Sequence, residues 1–254
     1  MILKIDRIKK SFDTVCVLND FSMKINEEEI VCIIGPSGCG KSTLLNIISG
    51  LLVPSEGEII NNSPDISYVF QEDRLLPWKN VYENIKIVNK KCSMEKCLDL
   101  IRKVGLEGFE GYYPSELSGG MRQRCSIARA FNYDAGLLLM DEPFKSLDYN
   151  LRLDMIRYLL ELWESTKKSI VFVTHEIDEA LLLGDRILIL SGRPARVIKE
   201  FDIKILKAKR SLAAPQLVKV RNEIIYLLQD KEGRTRDNRP RGLISNLNTL
   251  NLSL

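Results

Sequence analysis

Several features that mark specialised proteins are scarce or missing in this sequence. Its 254 residues include a single histidine, and its six cysteines form no C-x-x-C pair, so no zinc-binding constellation is evident. The apolar runs fall far short of the roughly eighteen residues that a membrane-spanning helix needs. The 37 basic residues nearly balance the 34 acidic ones, which is unlike a dedicated nucleic-acid-binding protein. We therefore expect a globular protein with free thiols, no transmembrane helix and no nucleic-acid partner.

The order of the apolar segments predicts an α/β fold. Alternating apolar and charged residues near the amino terminus indicate strands rather than a signal peptide. Ile30–Ile34 is a continuous apolar run, typical of a strand buried on both faces. After about residue 136, predicted strands and helices alternate, which favours a largely parallel sheet. A helical stretch at about 80–131 interrupts this order, and we interpret it as an inserted subdomain.

The chain is predicted to form one main domain followed by a tail. Its length fits one large domain or one and a half small ones, and its 45% hydrophobic residues allow a core of ample size, which we place within residues 1–230. Residues 231–242 are charged and broken by proline, and residues 243–254 are rich in Asn, Leu and Ser. We therefore expect residues 231–254 to be a disordered tail.

A glycine-rich motif follows the buried strand at Ile30–Ile34. Polyphosphate binding requires such a pattern, because glycines let successive backbone N–H groups wrap an anion and the following helix adds its dipole. Lys41 is expected to reach the β- and γ-phosphates, and Ser42 to offer its hydroxyl to Mg²⁺. A glycine-rich turn with a chance lysine is the alternative, but the flanking strand and helix favour a nucleotide site. The motif G-x-x-x-x-G-K-[ST] is formed by Gly35, Pro36, Ser37, Gly38, Cys39, Gly40, Lys41, Ser42 and Thr43.

Two adjacent carboxylates, Asp141 and Glu142, end a second buried strand. Ligands of open α/β sheets bind at such strand ends. Asp141 could orient the shell of a Mg²⁺ ion through water, and Glu142 could activate the attacking water as a general base. Alone, the pair would be interpreted as a polar strand end before Pro143. Beside a phosphate-binding loop, the catalytic interpretation is favoured.

The stretch Ser118-Gly119-Gly120 predicts a second anion-binding helix start. Ser118 is a suitable N-cap, and the two glycines expose the first backbone N–H groups of the helix. A capped helix without any ligand is the simpler interpretation. One chain nevertheless has two helix N-termini that are suited to binding phosphate. This suggests that one γ-phosphate is held between two such N-termini, each from a different copy of the chain.

Residues Leu117–Arg124, with the sequence LSGGMRQR, resemble the signature motif of the ATP-binding subunits of ABC transporters. The resemblance covers about Lys4 to Leu190. It implies a P-loop NTPase core of the ABC ATPase type, with an antiparallel β-subdomain and an inserted α-helical subdomain. It also implies ATP and Mg²⁺ as ligands, and a head-to-tail homodimer in which Ser118–Gly120 of one copy faces the P-loop of the other.

The other landmarks of that family follow in order along the chain. The resemblance implies that Phe12 stacks on the adenine, with a core strand residue as a serious alternative. Gln71 matches the glutamine that senses Mg²⁺ and the membrane partner. Asp148, in Ser146-Leu147-Asp148, matches the D-loop at the dimer seam and also suits the N-cap of the next helix. His175 matches the histidine that contacts the γ-phosphate. The implied catalytic residues are Glu142, His175 and Lys41, and the implied Mg²⁺ ligands are Ser42, Gln71 and Asp141.

Two further segments, Gln71–Trp78 and Leu190–Val197, resemble the nitrate/sulfonate/taurine importer branch of the family. In the first, Leu75, Leu76 and Trp78 either dock the coupling helix of a permease or pack the helical subdomain onto the sheet. The branch implies an ATP-hydrolysing importer subunit that lies peripherally on the cytoplasmic face of the cell membrane. Its partners would be transmembrane permease subunits and, indirectly, an external solute-binding protein.

Two other functions are weighed against this one. The first is a soluble ABC ATPase without a membrane partner, although the chain lacks the paired ATPase domains or long coiled coil of such proteins. The second is a non-catalytic, ATP-binding regulatory subunit, against which the presence of Glu142 and His175 argues. The sequence does not name a transported solute.

Overall fold

The computed structural model describes residues 1–145 and 147–234, with side chains described up to residue 229. Ser146 of the predicted D-loop and residues 235–254 of the predicted tail lie outside the described residues. The strands are β1 (Leu3–Phe12), β2 (Val15–Ile25), β3 (Ile30–Ile34), β4 (Glu56–Asn61), β5 (Ile66–Val69), β6 (Leu137–Asp141), β7 (Ser169–Thr174), β8 (Arg186–Leu190) and β9 (Val197–Asp202). The α-helices are α1 (Lys41–Ile48), α2 (Val81–Lys86), α3 (Met94–Lys103), α4 (Gly119–Asn132), α5 (Tyr149–Thr166), α6 (Ile177–Leu183) and α7 (Pro215–Arg234).

A six-stranded sheet with the order β5-β6-β7-β3-β8-β9 forms the centre of the fold. Its neighbours pair in parallel, apart from the antiparallel pair β8 and β9. Every residue of β3, β6 and β7 is buried, which explains why these strands are apolar on both faces. Because parallel strands end at the same edge, the residues that follow β3, β6 and β7 meet there.

The two faces of the central sheet belong to two separate cores. Alternate residues of one strand divide between them: Val31 and Ile33 face α1 and the antiparallel sheet β2-β1-β4, whereas Cys32 faces the helices of the other side. The side chains of β1 and β2 alternate in the same way between this core and solvent. An α/β core of the P-loop type with an antiparallel β-subdomain is therefore confirmed.

The segment predicted as a helical insertion contains α2, α3 and α4, which lie between β5 and β6. The Ser118 hydroxyl accepts a hydrogen bond from Met121 N (3.3 Å), so Ser118 acts as the predicted N-cap of α4, and Ser93 caps α3 in the same way by accepting from Lys96 N (3.2 Å). Cys97 and Ile101 of α3 are buried in the core shared with the central sheet. The insertion therefore packs against the face of the sheet opposite α1.

The carboxyl-terminal part differs from the sequence prediction. The predicted tail begins at residue 231, but α7 continues to Arg234, so this boundary falls inside a helix. Composition alone does not separate the last turn of a helix from the start of a tail. Strand β9 and helix α7 were not predicted; α7 is anchored by Leu217 and Ile224, which are buried in the helical-face core.

Among the helices of the described ranges, none combines the length and the apolar composition needed to cross a membrane. All six cysteines are free and five of them are buried, as the prediction of unpaired thiols required.

Gly57 provides a test of how β4 pairs with β1. It has φ +89°, and a Cβ at this position would lie 2.5 Å from the carbonyl oxygen of Arg7 and 2.6 Å from the Cα of Ile8. Gly57→Ala should lower the free energy of unfolding by about 2–4 kcal/mol, because it adds a backbone clash to an unfavourable φ. Urea denaturation measures this change. Gly111→Ala, where a Cβ meets nothing within 4 Å, is the matched control; equal effects of the two substitutions would contradict the prediction.

Candidate functional site

The P-loop joins the end of β3 to the start of α1. Gly40 precedes the helix with φ +123°, and a Cβ there would lie 2.7 Å from the side chain of Val17 in β2. Only glycine fits this position, which explains the second glycine of the motif. The Lys41 side chain is 5% exposed and its Nζ donates to the carbonyls of Gly35 (2.8 Å) and Pro36 (3.1 Å). The lysine thus lies across the loop whose backbone would hold the phosphates.

Glu142 is the centre of a cluster formed with two lysines and the histidine. One carboxylate oxygen lies 3.0 Å from Lys145 Nζ and 3.2 Å from His175 Nδ1, and the other lies 3.7 Å from Lys41 Nζ. Burial alone would raise the pKa of Glu142, but Lys145, Lys41 and His175 outweigh it and hold the pKa below its ordinary value. Glu142 is therefore ionised at neutral pH, as a general base must be.

The backbone of Glu142 adopts φ +44°, a left-handed conformation that few non-glycine residues occupy. Its N–H donates to the carbonyl of Val173 in β7 at 2.9 Å, which fixes the turn after β6. Such strain is tolerated where the surroundings over-determine the geometry, and it is common at functional sites. The turn directs the carboxylate towards the P-loop lysine.

Asp141 and Ser42 form the part of the site suited to a divalent cation. Burial raises the pKa of Asp141, and a hydrogen bond from Ser42 acts in the opposite direction. Together with Gln71, these residues offer hydroxyl, amide and carboxylate oxygens, the hard donors that Mg²⁺ prefers. Magnesium also takes ligands from substrate phosphates and water, so one carboxylate is a sufficient protein contribution. The residues present therefore fit Mg²⁺.

Two adjoining clefts, of about 210 and 310 Å³, hold most of the predicted site residues. Both are lined by Ser37 and Glu142; the smaller also reaches Gln71 and the larger His175. A larger cavity of about 700 Å³ lies at the amino-terminal ends of β6 and β7, away from these groups. The predicted site residues therefore gather at the carboxyl edge of the sheet and not at the larger cavity.

Some predicted residues lie elsewhere. Phe12 is 43% exposed at the end of β1 and does not line either cleft, so its ring is available at the surface rather than packed in the core. Ser118–Gly120 do not line the clefts either; a Cβ at Gly120 would meet Leu151 of α5 at 2.9 Å. Asp148 caps α5 by accepting from Leu151 N (3.0 Å), as predicted. The signature segment and the D-loop are thus neighbours of each other.

The sequence offered two roles for the segment Leu75–Trp78, packing of the helical subdomain and docking of a permease, and different residues of the segment suit each role. Leu75 packs against the helical-face core, whereas the side chain of Trp78 is 70% exposed. Asn84 of α2 holds the segment in place: it accepts from Leu76 N at 2.8 Å and donates to the carbonyl of Lys79 at 2.8 Å. Packing therefore accounts for the leucine and leaves the tryptophan at the surface.

Sequence analysis missed a group of residues that braces the loop containing His175. Thr174 donates its hydroxyl to Glu179 at 2.6 Å and accepts from the backbone N–H of Glu176 at 3.0 Å. Arg152 of α5 lies 2.7 Å from Glu176 and 3.4 Å from Glu179. The sequence shows that Glu179 lies four residues after His175, which could have pointed to a contact with this loop. The contact of Arg152 with Glu176 and Glu179 depends on how α5 packs, which the sequence does not show.

The family described as ABC transporter matches residues 18–145, which include the P-loop, the signature segment and Glu142. The chain belongs to the ABC transporter family. It is an ATP-binding, ATP-hydrolysing subunit of the ABC type.

Similar proteins extend the likeness over most of the chain. The taurine import ATP-binding protein TauB of Rhizobium johnstonii is 41% identical over 256 residues, which cover 91% of this chain and 98% of TauB. The aliphatic sulfonates import ATP-binding protein SsuB of Bacillus cereus is 41% identical over 239 residues, covering 89% and 95% of the two chains. A dimeric post-hydrolysis state of the ATP-binding cassette MJ0796, bound to ADP and Pi, is 31% identical; the match covers 81% of this ABC protein and 100% of that chain, with a TM-score of 0.69.

The buried carboxyl of Glu179 predicts a pH dependence of stability. Burial raises its pKa from 4.5 to about 7, against the opposing effects of Thr174 and Arg152. The folded protein therefore holds this proton more tightly than the unfolded chain, and the free energy of unfolding should fall by about 3 kcal/mol as pH rises from about 4.5 to about 7. Glu179→Gln should remove that loss.

Urea denaturation of the wild type and of Glu179→Gln at pH 5 and pH 8 measures how the free energy of unfolding depends on pH. The difference between the wild type and Glu179→Gln isolates this one group from all other titrating residues. Glu161→Gln, an exposed change on α5, should keep the pH dependence of the wild type. An identical pH dependence in the wild type and Glu179→Gln would contradict the prediction.

Proposed function

We propose that this chain is the ATP-hydrolysing subunit of an ABC importer for taurine, sulfonates or related small solutes. It would work through a separate transmembrane permease, on the cytoplasmic face of the membrane. The observation that supports this most directly is the cluster of Glu142 with Lys41 and His175 beside the P-loop. The solute class follows the names of TauB and SsuB.

In the proposed reaction, water attacks the γ-phosphorus of ATP. The bond from that phosphorus to the β–γ bridging oxygen breaks, giving ADP and phosphate, and the ionised Glu142 accepts the proton of the water. Lys41 neutralises the charge that develops on the phosphate oxygens. His175, 3.2 Å from Glu142, steadies the carboxylate and the γ-phosphate. The family landmarks that accompany these residues are Gln71 for the metal and Phe12 for the adenine.

Mg²⁺ would be held by Ser42, Gln71 and, through water, Asp141. When bound, it supplies positive charge to the β- and γ-phosphate oxygens. Asp141 serves this purpose through its place at the end of β6, one residue before the base. Its burial disfavours the ionised carboxylate, so a cation beside it would favour ionisation.

The signature segment supports a site shared by two copies of the chain. Ser118 caps α4, and Ser118 and Gly119 are exposed, yet this helix start lies outside the clefts that contain the P-loop. A head-to-tail homodimer would bring this helix start to the γ-phosphate bound by the other copy, with Asp148 at the seam. The cassette MJ0796 is dimeric in its ADP- and Pi-bound structure.

Trp78 is the centre of the proposed permease-docking surface. Its exposed indole lies on a segment that Asn84 holds through backbone hydrogen bonds, so the ring is presented on a rigid support. Large exposed aromatic side chains are common anchors of protein interfaces. An external solute-binding protein would then act through the permease and determine the cargo.

Glu142→Gln tests the proposed base. The substitution should lower ATP turnover by about 10²–10⁴-fold, because the amide does not accept the proton from water, while ATP binding is retained. Phosphate release and fluorescent-nucleotide binding measure the two effects separately. Glu161→Gln is the matched control and should keep normal turnover. Near-normal ATP turnover by Glu142→Gln would show that Glu142 is not the general base.

Trp78→Ala tests the docking surface. When the chain is produced together with its permease, the variant should co-purify with at least tenfold less permease, since loss of an anchoring aromatic costs about 2 kcal/mol or more. ATP binding by the isolated subunit should be unchanged. Tyr226→Ala removes an exposed aromatic from α7 and is the control. If Trp78→Ala co-purified with as much permease as the wild type does, the surface around Trp78 would be excluded as the permease-docking site.

A further inference from the structure

Arg193 lies on the P-loop although it is distant from it in sequence. It follows β8, and its Nη2 donates to the carbonyl oxygen of Gly38 at 2.6 Å. The same side chain lines the smaller cleft, together with Lys41, Ser42 and Gln71. None of the residues assigned above to ATP binding belongs to this part of the chain.

The loop that carries Arg193 is held in a fixed shape by its own hydrogen bonds. Ser191 N donates to the carbonyl of Arg196 (2.9 Å), and Arg196 N donates back to the Ser191 hydroxyl (2.9 Å). That hydroxyl also lies 3.0 Å from the carbonyl of Pro194, to which it donates. The position of Arg193 is therefore set by the loop.

The same loop is fastened to the strand that packs against the P-loop. Ala195 is buried, and its N–H donates to the carbonyl of Val17 in β2 at 2.8 Å. Val17 is the residue whose side chain occupies the space beside Gly40, and Leu190 lies in the same way beside Gly35. Contacts at Gly35, Gly38 and Gly40 thus brace the P-loop from outside, and the one at Gly38 comes from the charged side chain of Arg193.

Arg193 differs from the other cations in the cleft because, in the part of the chain that the structure describes, its charge is not offset by a nearby carboxylate. Lys41 and Lys145 both lie within 4 Å of Glu142, which offsets part of their charge. Within the described residues, Arg193 has no carboxylate within 4.0 Å, and its side chain makes a single hydrogen bond, the one to Gly38. A guanidinium carries five N–H donors and binds phosphate oxygens in a bidentate manner. Four donors and a full charge therefore remain for an anionic ligand.

We propose that Arg193 is an additional ATP-binding residue, which braces the P-loop through Gly38 and donates its other N–H groups to the polyphosphate. This inference rests on the ATP site of the proposed function. It assigns a role in nucleotide binding to the loop 191–196.

Arg193→Gln tests the proposal by removing the charge and most of the donors. The Kd of a fluorescent ATP analogue should rise about 10-fold or more, as expected for a lost charge-assisted hydrogen bond to phosphate. Inorganic tripolyphosphate, used as a competitor, should lose affinity by a similar factor because the contact is to phosphate. Arg193→Lys keeps the charge and should recover part of the affinity.

Arg196→Gln is the matched control, because it removes a neighbouring exposed arginine side chain and keeps the backbone bonds of the loop. It should bind the analogue and tripolyphosphate as the wild type does. Unchanged Kd values for Arg193→Gln, or a loss for the ATP analogue without any loss for tripolyphosphate, would overturn the proposal. Failure of the wild type itself to bind and hydrolyse ATP would instead overturn the proposed function, so the two failures are distinguishable.

Discussion

The parallel pairing of β3, β6 and β7 is the constraint on which the rest of this structure depends. These three strands are buried along their whole length, so their backbone groups must be satisfied by one another and their ends must coincide. The P-loop, the carboxylates at 141 and 142, and His175 therefore reach one edge from three distant parts of the chain. Neither the lysine nor the histidine would lie near Glu142 without that pairing.

Glu142 converts this edge into a site with a defined charge distribution. Its left-handed backbone and its hydrogen bond to Val173 fix where the carboxylate points. Three positive or protonatable groups then hold it ionised despite its partial burial. The same arrangement partly neutralises Lys41 and Lys145. This leaves Arg193 as the cation whose charge is not offset by a neighbouring carboxylate.

The site is built from parts that pack on different supports. The P-loop is braced by β2 and by the loop after β8, the loop around His175 by Glu179 and Arg152, and the signature segment by α5. Two of these supports, Arg193 and Arg152, act through side chains that come from elements outside the family motifs. The division between the P-loop clefts and Ser118–Gly120 also explains why an ABC ATPase of this kind would need a second copy.

The sequence by itself determined the local elements of the site. The glycines, Lys41 and Ser42 of the P-loop, the paired carboxylates at the end of β6, and the N-caps Ser118 and Asp148 are all encoded within a few residues of chain, where spacing and propensity are sufficient. The fold class followed from the alternation of strands and helices.

Only the tertiary structure decided which distant groups meet. The contacts of Lys145 and His175 with Glu142, the brace of Arg152 on Glu179 and the bond from Arg193 to Gly38 join residues by packing, which no local pattern encodes. The same reason explains why β9 and α7 were not predicted: Leu217 and Ile224 of α7 are buried against a core formed by other parts of the chain. Local sequence sets the shape of each piece, whereas burial of the shared sheet sets how the pieces combine.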